Sequence, residues 1–136
     1  MTSPPADAEP PPDDSGLALA VLAARVADDK KADDVVVLDV GPILAITGYF
    51  VVAGASNQRL GRTVVEAIEE AARVDLGRRP VRSEGLREQQ WMLLDFGDVV
   101  VHVFVGDVRD FYEIERLYSD AARVDWHDVA PLGDPR

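Results

Sequence analysis

The chain has 136 residues, no cysteine and a net charge of −11 from 14 basic and 25 acidic side chains. Disulfides, thiolate chemistry and Cys-ligated zinc are excluded, and so acidic a chain is repelled by bare phosphate backbones, which argues against direct DNA or RNA binding. The length suits one domain with its own core, and there is no run of about 18 apolar residues to span a membrane.

The first sixteen residues hold Asp7, Glu9, Asp13 and Asp14 and no base, so seven of the eleven net negative charges lie further on. Acidity is therefore a property of the domain, and it favours a basic protein partner. The N-terminus has neither a basic start nor an apolar segment, so no secretory signal is read and a cytoplasmic location is expected.

Residues 1–14 contain five of the nine prolines and no aromatic, which predicts a disordered acidic lead-in. Asp14 or Ser15 is a candidate N-cap. From Gly16 to about Lys31 the Ala- and Leu-rich sequence predicts a helix. Apolar residues nearly encircle its first three turns, so it is expected to be buried on more than one side or to pair with another chain. Val35–Val40, VVVLDV, is a continuous β-branched run, the pattern of a strand covered on both faces. Gly41–Gly48 reads as a connection, and Tyr49–Ala53 as a second buried strand. Ser56 is the expected N-cap of a helix over Asn57–Leu76, closed by Gly77.

Pro80–Arg82 is a short strand candidate at a sheet edge, because a proline is tolerated there. Ser83–Gln90 is a polar loop. Trp91–Phe104, WMLLDFGDVVVHVF, reads as a β-hairpin turning at Gly97-Asp98. That turn places Met92, Leu94 and Phe96 with Val99, Val101 and Val103 on one wholly apolar face. The other face carries Trp91, Leu93, Asp95, Val100, His102 and Phe104. It mixes aromatics with a carboxylate and an imidazole, and is the best local candidate for a working surface. A last helix is expected over Val108–Ala121, with Phe111, Ile114, Leu117 and Tyr118 on one stripe. A domain over residues 15–125 and a loose tail over 126–136 follow. The order predicts an α/β fold, a mixed sheet of about five strands with flanking helices.

Catalytic patterns are thin. His102 and His127 lie in no metal-ligand spacing. Gly54–Ser56 follows a strand and opens a helix, where anions are favoured, but no Lys or GxGxxG accompanies it. Ser56, His102 and Asp95 lack a GxSxG elbow. Asp39, Asp95 and Asp98 supply carboxylates without an Asp-x-Asp on a strand. A protein-docking surface fits better: Tyr49, Trp91, Phe111, Tyr112 and Tyr118 are five of the nine aromatics, and interfaces favour aromatics with a polar rim.

Several stretches, in order and spacing, resemble the ribosomal silencing factor (Iojap-like) family. They are Lys31–Asp34 running into VVVLDV, TGYFVVAGASNQR (Thr47–Arg59), Glu84-Gly85, Trp91, LLDFGDVVVHVF (Leu93–Phe104) and RDFYEIERLYSDA (Arg109–Ala121). The resemblance covers about Leu17–Asp125. It departs at Gly48, where many relatives have Asp, and at Tyr118, where many have Trp. It implies a translation repressor that is not an enzyme. Such a factor binds the large ribosomal subunit through its fourteenth protein, blocks joining of the small subunit and represses translation when nutrients are short. The implied fold is nucleotidyltransferase-like without the catalytic carboxylates, with homodimers and no metal or cofactor. The docking residues it implies are Trp91, Leu93, Asp95 and Asp98, with His102, Tyr49 and the Phe111–Tyr118 helix nearby. The rival reading is a small Mg²⁺-dependent nucleotidyltransferase-like enzyme using Asp39 with Asp95 or Asp98 beside the Gly54–Ser56 turn. An oligomeric scaffold built on the Leu17–Val26 helix is a third.

Overall fold

The structure, a computed structural model, describes residues 14–44, 47–86, 90–106, 119 and 121–127. Two helices and six strands are formed there: α1 (Asp14–Asp29), β1 (Asp33–Asp39), β2 (Tyr49–Ala55), α2 (Gln58–Leu76), β3 (Arg82–Glu84), β4 (Trp91–Asp95), β5 (Val99–Val105) and β6 (Ala122–Val124). The strands make one mixed sheet in the order β3-β4-β5-β2-β1-β6. Only β2 and β5 run parallel, and the other neighbours are antiparallel. The α/β expectation holds with one strand more than expected. Ala122–Val124 is too short to show a period in the sequence, yet it pairs with Val37–Asp39 at the sheet edge.

The hairpin has the expected register, Met92 against Val103 and Leu94 against Val101. Gly97 takes φ 96° at the first loop position, which a Gly-X loop needs and other residues resist. The edge strand near Pro80 also forms, shifted to Arg82–Glu84 and so taking in the first residues of the expected polar loop.

Both helices pack on the face bearing Val37, Val51, Ala53, Met92, Leu94, Val99, Val101 and Val103. Leu19, Ala20, Ala23, Ala24 and Ala27 of α1 join that core with Val64, Val65, Ile68 and Ala72 of α2. The other face carries a second cluster, Leu38, Val40, Phe50, Val52 and Phe104. β1 and β2 thus read as unbroken apolar runs because each faces a core on both sides. Each fully buried aliphatic or Phe side chain contributes roughly 1.5–3 kcal/mol.

Asn57, not Ser56, caps α2: its backbone is extended and its Oδ1 accepts from Leu60 N at 2.8 Å. The geometry favours Asn57 because its side chain reaches the third helical N–H. Gly77 closes α2 in the left-handed region as expected, donating to Arg73 O at 3.1 Å.

The start of the expected loose tail is packed. Trp126 is 7% exposed and donates its indole N–H to Val35 O at 3.2 Å. Arg25 of α1 reaches Trp126 O through Nη2 at 3.2 Å. α1 is thus buried on several sides, by α2, by the sheet and by this turn. The expected helix over Val108–Ala121 lies outside the described residues except at Ser119 and Ala121. No helix among the described residues is long and apolar enough to cross a membrane.

Candidate functional site

The hairpin is anchored at its tip. Gly97 N donates to Asp95 Oδ1 at 2.8 Å, and Phe96 N to Val99 O at 2.8 Å. Asp98 O accepts from Gly48 N and Tyr49 N at 2.9 and 3.1 Å, which fixes the tip to the start of β2. The Asp98 carboxylate pairs with Arg78, just past α2, at 2.6 Å. It also lies beside α1, 3.3 Å from where a Cβ on Gly16 would stand. Asp95 pairs instead with Arg82 of β3 at 3.2 Å.

At the other end of the hairpin, Trp91 stands opposite Phe104, and His102 lies opposite Leu93. Trp91 Nε1 donates to His102 Nδ1 at 3.1 Å. The Trp91 and Phe104 rings are 5.0 Å apart, and Phe50 lies 4.5 Å from the imidazole. An indole nitrogen only donates, so Nδ1 is the bare nitrogen of His102 and Nε2 carries the proton. Burial, only partly opposed by the Asp95 carboxylate, lowers the His102 pKa from 6.5 to about 4. The side chain is neutral at pH 7.

The expected docking residues therefore fall into three groups. Trp91, Leu93, Asp95 and His102 share the sheet face turned away from α1 and α2. Arg82 and Glu84 lie beside them on the edge strand, Arg82 paired with Asp95 and 3.8 Å from Glu84. This puts a polar rim next to a partly exposed Trp and Leu. Tyr49 points to the helix face, packed at the edge of that core, and the Asp98 carboxylate turns the same way. Phe111, Tyr112 and Tyr118 lie outside the described residues.

Sequence reasoning missed Arg78, Arg25 and Trp126, which hold the scaffold. Trp126 had a signal: a large aromatic in a stretch otherwise poor in apolar side chains. Nothing local marks Arg78, whose partner is twenty residues away.

The carboxylates do not assemble a catalytic pair beside Gly54–Ser56. Asp39 lies opposite Tyr49, and Asp95 opposite Val100, at the sheet end where the hairpin turns. Gly54 lies opposite Phe104, at the Trp91 end. Five strand residues, about 17 Å, separate the two ends. Asp39 is bonded to Gly41 N at 3.3 Å. Among the described residues, no three His, Asp or Glu side chains are grouped to hold a metal. An open cleft of about 400 Å³ lies elsewhere, lined by Glu66, Glu69, Glu70, Arg73, Arg79 and Pro80. Two of its acids are already paired, Glu66 with Arg62 and Glu70 with Arg73.

The family model "Ribosomal silencing factor during starvation" matches residues 13–135. Ribosomal silencing factor RsfS of Bacillus subtilis is 36% identical over 104 residues, covering 76% of this chain and 87% of that protein. The chloroplastic protein Iojap of Arabidopsis thaliana is 36% identical over 118 residues, 87% of this chain and 49% of that longer protein. A crystal structure of a Chromobacterium violaceum protein matches with a TM-score of 0.70 at 28% identity, covering 85% of this chain and 94% of that one. The family match spans both cores, the hairpin and the Trp126 turn, and the chain belongs to the family of ribosomal silencing factors.

Proposed function

We propose that this protein is a non-enzymatic translation repressor. It binds the large ribosomal subunit through that subunit's fourteenth protein and sterically blocks joining of the small subunit, above all when nutrients are limiting. It acts in the cytoplasm, and a homodimer is part of the reading. The domain that docks is residues 15–125, followed by a short stretch held through Trp126.

The observation that carries the reading is the face of β3 and β4 turned away from α1 and α2. A partly exposed Trp91 and Leu93 stand there beside the charged rim of Arg82, Glu84 and Asp95. Interfaces place aromatic anchors inside polar rims in this way. The chain's net charge of −11 suits a basic ribosomal protein and speeds encounter with it. The enzyme reading loses support because its carboxylates sit at the wrong end of the sheet for the Gly54–Ser56 turn.

Purified large and small subunits, mixed with and without the protein, test the proposal on a sucrose gradient. The protein should travel with the large subunit and reduce the fraction of joined ribosomes. Undiminished joining, with the protein remaining at the top of the gradient, contradicts it.

A further inference from the structure

His102 sits in the middle of a central strand, flanked along β5 by Val101, Val103 and Phe104, all fully buried. Alternation calls for a plain apolar residue here. The imidazole is instead 4% exposed, and its Nε2 has no hydrogen-bond partner among the described residues. A buried N–H without an acceptor costs stability, and a Leu or Val would avoid that cost. What the imidazole supplies that an aliphatic side chain lacks is the Nδ1 acceptor, and the Trp91 indole takes it at 3.1 Å. Phe50 at 4.5 Å, close to the imidazole, restrains the ring from turning that acceptor away.

We propose that His102 is a positioning residue: its bare Nδ1 fixes the indole of Trp91 in the orientation offered to the ribosomal partner. This rests on the docking reading above, in which Trp91 is the anchor. His102 itself touches no partner. An indole has two rotatable bonds, and a hydrogen bond from below favours one arrangement of the ring. A partner surface then meets a pre-set ring and does not have to order it on binding.

Two variants separate positioning from packing. His102→Leu keeps bulk and removes the acceptor. His102→Asn places an oxygen where Nδ1 stands. The exchange rate of the Trp91 indole N–H, followed by NMR, reads the bond directly. Trp126, bonded to Val35 O, is the internal control. The Leu variant should speed Trp91 exchange about threefold to tenfold, the worth of one ordinary hydrogen bond. Trp126 should be unchanged, and the Asn variant should return Trp91 exchange toward the wild-type rate. Co-sedimentation with large subunits should weaken by a similar factor in the Leu variant and recover in the Asn variant.

Unchanged Trp91 exchange in the Leu variant overturns the proposal. So does faster exchange at both indoles in both variants, which assigns His102 to the core alone. Faster Trp91 exchange with wild-type co-sedimentation of the Leu variant overturns the link to docking. If the wild-type protein itself does not travel with large subunits, the docking reading fails and the proposal falls with it. The exchange data then still show whether His102 holds the ring.

Discussion

Trp126 donates its indole N–H to the carbonyl of Val35 across 3.2 Å, where the β1–β2 register slips between Asp33 and Val36. Asp34 takes a positive φ of 50° in that bulge. A bulge disrupts the ladder locally, and the indole takes up the Val35 carbonyl. The carbonyls of Trp126 and His127 then accept from Arg25 of α1. One aromatic residue near the C-terminus thereby joins the first helix to the first strand.

Replacing Trp126 should therefore hurt the whole fold. Trp126→Ala removes a large buried side chain and should cost about 3–5 kcal/mol. Trp126→Phe keeps most of the packing and loses mainly the hydrogen bond, about 1 kcal/mol. Urea unfolding at constant m-value distinguishes the two. An Ala variant as stable as wild type would place Trp126 back in a loose tail.

Gly85 and Gly97 both have positive φ, 76° and 96°, but their surroundings differ. A Cβ on Gly97 meets nothing within 4 Å, whereas one on Gly85 would overlap the carbonyl oxygen of Trp91. Gly97→Ala should cost only the conformational strain, about 1–2 kcal/mol. Gly85→Ala should exceed about 4 kcal/mol or prevent folding, because the obstacle is backbone and cannot rotate away. Equal thermal stabilities for the two variants would contradict this ranking.

At the start of α2 the cap can be tested by a pair of single changes. Asn57→Ala should cost about 1 kcal/mol, since Oδ1 no longer accepts from Leu60 N. Ser56→Ala should stay within about 0.5 kcal/mol. The reverse order would restore the cap to Ser56.

Much of this was legible in the sequence, for reasons that differ by element. The hairpin register followed from Gly97-Asp98 and strict alternation, both local. The two-faced burial of β1 and β2 followed from their unbroken apolar runs. The cap slipped by one residue because Ser56 and Asn57 are both good caps, and only geometry decides between them. β6 was illegible: Ala122–Val124 is half exposed and stands only because β1 offers it an edge. The mixed hairpin face alternates as expected, but the wider set of expected docking residues is split by the three-dimensional arrangement. His102 is buried, Tyr49 and the Asp98 carboxylate turn toward α1, and Trp91 and Leu93 stay partly exposed.

His102 also sets a pH dependence. The unfolded chain binds a proton near 6.5, while the folded imidazole resists it until about 4. Between those values the unfolded state holds more protons, so stability falls as pH falls and rises as pH rises. Above 6.5 the group is neutral in both states and the effect disappears. Below about 4 it is complete, at about 3 kcal/mol. Wild type should lose roughly 2 kcal/mol more than His102→Leu between pH 7 and pH 4.5. Parallel stability profiles for the two proteins would show that His102 titrates normally in the fold.

Docking depends most directly on Trp91. Trp91→Ala, with circular dichroism and unfolding confirming an intact fold, should weaken co-sedimentation with large ribosomal subunits by at least about thirtyfold, as an interface anchor does. A folded Trp91→Ala protein that travels with large subunits at the wild-type level would contradict the docking surface proposed here.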